Sequence, residues 1–290
     1  NVAKLVANGG LVAMAGALAE YFGAIEGASL EANKGAYSYA WMIIFAVIAA
    51  IMVLIGLYHI RMLPSNQIPS TTKKTTSEVG RELVAVIANF FTKKHILYYI
   101  CFIILYRLAE GFIMKIAPLF LRASRDVGGL GLSLTEIGTL NGIFGSAAFV
   151  LGSLLAGIYV SKFGLKKTLF TLCCIFNLPF VAYTFLAVTQ PTNVYLIGTC
   201  ITMEYFGYGF GFVGLTLFMM QQIAPGKHQM SHYAFASGIM NLGVMLPGMV
   251  SGYFSDLLGY RNFFIYVFIA TIPAFLITYF IPFTYDDSKK

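Results

Sequence analysis

Residues 96–121 read ILYYICFIILYRLAEGFIMKIAPLFL, and this stretch decides the fold. Apart from Arg107, Glu110 and Lys115 it is apolar or small throughout. It exceeds the roughly 20 residues that a helix needs to cross a hydrocarbon core of about 30 Å. A helix apolar on every side belongs inside a bundle or a bilayer, because water would leave one face unsatisfied. Working outward, seven further segments approach or exceed the same length, at about 4–22, 39–62, 137–160, 168–188, 194–223, 231–254 and 262–282. The expected fold class is therefore an all-α polytopic membrane protein with eight transmembrane helices.

Composition supports this class. Hydrophobic residues make up 58% of the chain and charged ones 11%, with a mean hydropathy of +0.78. Soluble domains carry a charged share of roughly 25%. The net charge of +7 does not point to nucleic acid, because the charges segregate between spans. Lys4, Arg61, Lys73, Lys74, Arg81, Lys93, Lys94, Lys162, Lys166, Lys167, Lys227, Lys289 and Lys290 fall on one side, and Lys34, Arg122, Arg125 and Arg261 on the other. Basic loops stay inside. The expectation is a cytoplasmic loop 64–95, a cytoplasmic C-terminus, and an outer face made acidic by Glu20, Glu26 and Glu31.

The loop itself turns abruptly polar at PSNQIPSTTKKTT, residues 64–76, which reads as a linker. Three regions follow: 1–63 with two spans, 64–95 as a cytoplasmic linker, and 96–290 with six spans and a short tail. Beyond the linker, Ser77 can cap a helix whose Val79, Leu83, Val86, Ile87 and Phe90 share one face. Such a helix lies along the inner membrane surface or packs beneath the bundle. Gly138, Gly142, Gly145, Gly152 and Ala156, Gly207, Gly211 and Gly214, and Gly248 and Gly252 form small-residue stripes where helices can approach closely. Pro179, Pro247 and Pro273 are expected to kink their helices.

Ionisable groups at mid-span cost several kcal/mol in hydrocarbon unless they face a partner or water. Arg107 and Glu110 lie one turn apart on one helix face, with Lys115 further along, and Glu204 sits at a comparable depth in the sixth of the eight spans. Glu110 and Glu204 are candidates for binding protons and polar substrate around a central cavity, with Arg107 tuning them or holding an anion. The same Arg107 and Glu110 can equally form an ion pair that only fixes packing. Tyr106 and Tyr208 border these positions and Asn241 is an in-membrane amide; all three are candidate substrate-binding residues, with packing the alternative for the tyrosines and interhelical hydrogen bonding for the amide. The four cysteines lie in apolar runs without paired spacing and read as buried packing residues. No catalytic residues, metal site or cofactor are expected, since the four histidines are scattered and no nucleophile, base or metal set clusters in the sequence.

Two loops and several longer runs carry a family resemblance. GIYVSKFGLKK (157–167) resembles the loop signature of the major facilitator superfamily, with Ser161 where the pattern has Asp; GYFSDLLGYR (252–261) is a looser echo. LYRLAEGF (105–112), GLSLTEIGTLN (131–141), MEYFGYGFGFVGL (203–215), SHYAFASGIM (231–240) and SGYFSDLLGYRNFF (251–264) are similar to the AmpG family of muropeptide permeases, a likeness that covers nearly the whole chain.

The resemblance implies twelve helices in two bundles. The chain opens on Asn1 without an initiator Met, so it is expected to be a piece lacking the first four helices and unable to transport alone. It further implies proton-driven import of anhydromuropeptides across the bacterial inner membrane, with a sugar-peptide substrate and protons as partners beside the bilayer, in a monomer that binds no nucleic acid. Arg107 and Glu110 match the charged pair of the family's seventh helix, Glu204 the acid of its tenth, and Gly157, Lys162, Gly164, Lys166 and Lys167 its gating loop. A sensor of wall fragments, or a carrier of acetyl-CoA or another saccharide, are the alternatives.

Overall fold

A computed structural model describes residues 11–25, 32–62 and 76–285. Lys4, Glu26, Glu31, Lys73, Lys74, Lys289, Lys290 and linker positions 64–75 lie outside the described residues. The described residues are helical, with no strand among them. Internal contacts divide the chain into two compact units, 1–80 and 81–290. The division falls within the segment expected as the cytoplasmic linker.

In the first unit, helix α1 (Val12–Tyr21) packs on α2 (Lys34–Met62). Ala15 and Ala19 of α1 and Ala40 and Ile44 of α2 are buried, while most of the α2 surface is exposed and apolar. A helix apolar all round requires lipid or other helices around it. The Asn33 side chain clasps Ile25, accepting from its N–H at 2.9 Å and donating to its carbonyl at 2.8 Å.

The second unit begins within α3 (Thr76–Phe91). Ser77 lies inside this helix rather than ahead of it, because the helix starts one residue earlier. Only its C-terminal end docks beneath the bundle. Phe90 is buried against His232 and Phe235, and the Val86 carbonyl lies 3.3 Å from His232 Nε2. Leu83, Val84 and Ile87 remain exposed. Just beyond, the Lys93 ammonium donates to the carbonyls of Ile223 and Pro225 at 2.5 and 2.7 Å, placing a cation at a helix C-terminus. Desolvation lowers its pKa from the ordinary lysine value.

The bundle comprises α4 (Ile96–Tyr106), α5 (Leu108–Arg122), α6 (Leu134–Ile137), α7 (Ser146–Phe163), α8 (Leu165–Asn177), α9 (Phe180–Thr189), α10 (Val194–Phe218), α11 (Gln229–Ile269) and α12 (Ile272–Tyr279). Two π-helical segments interrupt them, Gly138–Gly145 between α6 and α7, and Met219–Ile223 after α10. α10 is the central element, packing against α7 and α8, while α11 packs against α5.

Among the described residues five helical stretches are long and apolar enough to cross a membrane: Lys34–Met62, Ile96–Arg122, Thr135–Phe163, Leu165–Thr189 and Gln229–Tyr279. The expectation of eight differs for physical reasons. The described part of α1 has 10 residues. Glu204 and a run of glycines dilute the hydropathy of α10. The last stretch, at 51 residues, is more than twice the length one crossing needs. Gly259, with φ 70° and ψ 160°, breaks it there, a backbone state that a residue with a Cβ rarely adopts. Pro179 separates α8 from α9, Pro247 lies within α11, and Pro273 opens α12.

Close helix approach rests on glycines. A Cβ on Gly209 would lie 2.1 Å from the Phe149 carbonyl, one on Gly152 2.4 Å from the Phe206 carbonyl, and one on Gly207 2.3 Å from the Ile175 carbonyl. One on Gly211 would meet Phe176 Cβ at 2.2 Å, and those on Gly214 and Gly145 would meet the Leu172 side chain and the Tyr205 ring less tightly, at 2.9 Å. The seams on α7 and α10 thus lie where small residues were expected, joined by Gly209, Gly111 and Gly243, which the sequence pattern had not singled out. Gly138 and Gly252 face open space. Of the cysteines, Cys173 and Cys200 are buried but Cys101 is exposed.

Gly209→Val forces a methyl-bearing carbon into a backbone carbonyl, and a cost on the order of 1–3 kcal/mol is expected. Gly252→Ala adds helix propensity at an open position and should be neutral or stabilising by up to about 1 kcal/mol. Thermal unfolding in detergent compares the two; equal melting temperatures would contradict the seam.

Candidate functional site

The expected span 96–121 is interrupted at its centre. Arg107, with φ −105° and ψ 6°, ends α4 and caps α5, so the helix breaks at the charged residue. This sparsely populated backbone region recurs at functional sites. Periodicity did not reveal the break, because neither Pro nor Gly marks it.

The break lets the guanidinium fold onto the first turn of α5. Arg107 Nε donates to Glu110 Oε2 at 2.6 Å and Nη2 to Oε1 at 2.5 Å, a two-pronged pair. Both residues are 5% exposed. Planar guanidinium and carboxylate match in this arrangement and strengthen both hydrogen bonds. The guanidinium carbon also lies 5.3 Å from the centre of the Phe212 ring, a cation–π contact on its open face. Phe212 was not anticipated as a site residue; its place one turn beyond Tyr208 is the only signal in the sequence.

Tyr208 interacts with both Arg107 and Glu110, and with Glu204. It is the side chain common to the two carboxylates. Glu204 is half-buried and acts electrostatically on Tyr183 and Tyr205 as well. Arg107, Glu110 and Tyr208 are therefore brought together, and Glu204 lies one turn before Tyr208 on α10, within its electrostatic reach.

The remaining candidates lie elsewhere. Tyr106 is fully buried, donates its hydroxyl to the Gly211 carbonyl at 2.9 Å and packs on Phe102 and Phe176, so it ties α4 to α10 rather than facing a ligand. Asn241 is exposed on α11. Lys115 is exposed, with its stem beside Gly248. Around the expected gating loop, Gly164 alone links α7 to α8 with φ 79°, and Gly157, Lys162, Lys166 and Lys167 are exposed. The Lys162 ammonium sits 5.5 Å from the Phe163 ring, and Ser161 Oγ donates to the Ile158 carbonyl at 2.8 Å. Among the described residues no three His, Cys, Asp or Glu side chains come together as a metal site would require.

The profile of the Major Facilitator Superfamily matches residues 6–226. The chain belongs to this superfamily. Among curated proteins it is similar to the anhydromuropeptide permease of Escherichia coli K12, 22% identical over 209 residues, covering 72% of this chain and 41% of that protein. It is also similar to putative transporter AmpG 1 of Rickettsia bellii, 25% identical over 238 residues, covering 81% of this chain and 56% of that protein. Putative transporter AmpG 2 of Rickettsia prowazekii is 24% identical, with 69% of this chain and 47% of that protein covered. The chain thus spans about half the length of the curated relatives it matches. The expected resemblance is borne out, and this facilitator-superfamily chain is a multi-pass helical membrane protein whose relatives are named as permeases and transporters, not enzymes.

The buried pair gives a stability prediction. Glu110→Ala leaves a guanidinium unpaired in a dry site, which is expected to cost roughly 3–5 kcal/mol. Replacing both, Arg107→Leu with Glu110→Leu, should recover most of that loss. Thermal unfolding of both variants in detergent checks the pair; a double variant as unstable as the single one would contradict the account.

Proposed function

We propose that this chain is part of a proton-coupled secondary transporter that imports an anhydromuropeptide or related saccharide by alternating access. The observation that carries the reading is the two-pronged Arg107–Glu110 pair, buried at a helix break and linked through Tyr208 to a second carboxylate, Glu204. Broken helices at membrane mid-depth are where carriers of this kind place substrate and coupling-ion sites.

The chemistry proposed is exchange of partners. While Glu110 is ionised it holds Arg107. A proton on Glu110 removes that partner, and the guanidinium then favours an anionic substrate group, such as a peptide carboxylate. Substrate and proton so assist each other's binding, and the coupling is reciprocal. Glu204, half-buried, is the proposed second proton site, and Tyr208 the hydroxyl that follows either carboxylate. Asn241 is proposed to line the substrate passage. The similarity to permeases named for anhydromuropeptide supports the substrate class.

In this reading eight helices of the chain cross the bacterial inner membrane, two from one bundle and six from its partner, with segment 64–95 and the C-terminus in the cytoplasm and the transporter a monomer. Gly157, Lys162, Gly164, Lys166 and Lys167 form the proposed gating loop on that face.

The test is uptake of labelled anhydromuropeptide by the full-length protein in vesicles. An inward pH gradient should drive accumulation. Glu110→Gln, fixed in the uncharged form, should lose accumulation by at least about tenfold while still exchanging substrate across the membrane, since one coupled proton converts each pH unit of gradient, about 1.4 kcal/mol, into a tenfold concentration ratio. Gradient-independent flux in the unmodified protein would remove the coupling; full accumulation by Glu110→Gln would remove the role of that residue.

A further inference from the structure

α10 has two chemically opposite sides. At 100° per residue, Glu204, Tyr208 and Phe212 share one side, and Tyr195, Thr199, Thr202 and Phe206 fall on the other. Behind that second side lies a groove of about 960 Å³, walled by the π-helical segment and α7 on one flank and by the end of α8 on the other. Phe144, Leu151, Leu178 and Phe206 are among its lining residues, and its surface is overwhelmingly apolar. The charged group takes no part in it.

A membrane-spanning helix meets only three surroundings: neighbouring helices, a watery passage or hydrocarbon. The Glu204 side of α10 carries the charged group, and the groove lies on the reverse. An open apolar groove at membrane depth is filled by hydrocarbon, because water there would leave its hydrogen bonds unmade. One end of the groove is also distinct. There α6 and α10 both begin, at Leu134 and Val194, which marks the membrane surface. Tyr195, 88% exposed, sits at that end as an interfacial aromatic. Glu136 is the one charged residue lining the groove, on the same rim. Its Oε2 accepts from the N–H and hydroxyl of Ser133 at 2.8 and 2.9 Å while the Glu136 N–H donates to Ser133 Oγ, a capping box that fixes the carboxylate in place.

We propose that this groove is a binding site for one phospholipid with a primary-amine headgroup, its acyl chain lying along Phe144, Leu151 and Phe206 and its ammonium pairing with Glu136. Apolar length and a single acidic rim residue match the two ends of such a lipid. The charge selects a headgroup that carries a cation over a purely anionic one, and a primary ammonium, unlike a quaternary one, also donates hydrogen bonds to the carboxylate. The site stands apart from the transport chemistry and does not depend on it.

The test is native mass spectrometry of the full-length protein in mild detergent, titrated with phosphatidylethanolamine, phosphatidylcholine and phosphatidylglycerol. One lipid should be retained, with phosphatidylethanolamine preferred by about fivefold, as an interfacial ion pair provides. Thr199→Trp and Ala148→Phe fill the groove from opposite walls and should each reduce retention by about tenfold or more through lost apolar contact. Two differently placed fillers guard against one variant misfolding, and a melting temperature within the unmodified range confirms the fold of either. Glu136→Gln keeps the capping box, since Gln serves it equally, and should retain a lipid while losing the headgroup preference. Glu110→Gln should retain lipid as the unmodified protein does. Undiminished retention in a folded groove-filling variant overturns the site. An unchanged headgroup preference in Glu136→Gln, or a preference for phosphatidylglycerol in the unmodified protein, overturns the amine assignment.

Discussion

The structure depends on two charges held against each other in a dry place. Removing a guanidinium and a carboxylate from water costs several kcal/mol each, and only a well-aligned pair with further polar contacts recovers it. Arg107 and Glu110 meet that condition with two short hydrogen bonds, a Phe212 ring against the guanidinium, and Tyr208 interacting with both. Two apolar clusters of buried side chains flank the site along the chain. One cluster contains Tyr99, Phe102, Tyr106, Phe176 and Phe218, and the other Phe112, Phe120, Phe180, Tyr183 and Phe264. The chain passes from the first cluster to the second at Arg107, which is also where its helix breaks.

The glycine seams explain how α10 can serve this pair. Tyr106 meets the Gly211 carbonyl, and Phe212 and Tyr208 meet Arg107, on a helix whose glycines bring it to backbone contact distance of α7 and α8. Gly207, Gly209, Gly211 and Gly214 permit that approach on several sides of one helix. In lipid there is little hydrophobic drive for helices to meet, so packing of this closeness is what holds the bundle. Packing and chemistry are carried by alternate residues of GYGFGF.

Some of this was legible in the sequence and some was not. The apolar runs and the polar interruption at 64–76 identify a helical membrane chain, because hydrocarbon and water impose opposite compositions. Arg107, Glu110 and Glu204 stand out for the same reason, as costly residues in long apolar stretches. Tyr106 was misleading: adjacency to Arg107 in the chain says nothing about direction, and its ring turns into the core. The helix break and the two π-helical segments left no local signature, since they arise from tertiary demands on backbone carbonyls. Gly209 and Phe212 alternate with Tyr208 and Gly211, and only the packing of α10 reveals which side each one faces.

A buried pair this well satisfied is at rest, and a carrier needs it to have a second state. A ligand shifts an equilibrium only by its differential affinity for the two states, so in the proposed coupling proton and substrate both prefer the arrangement in which Arg107 has left Glu110. The geometry limits how far that change extends. Phe212 contacts the guanidinium rather than its partner, so the cation keeps one contact while it exchanges the other. Glu110 sits in the first turn of α5, directly after the break at Arg107. In the proposed exchange a change at that joint alters the pair, whereas the glycine seams of α10 face α7 and α8 and are not part of it. The joint and the seams are then separate, so the proposed protonation of Glu110 would not require the bundle to unpack.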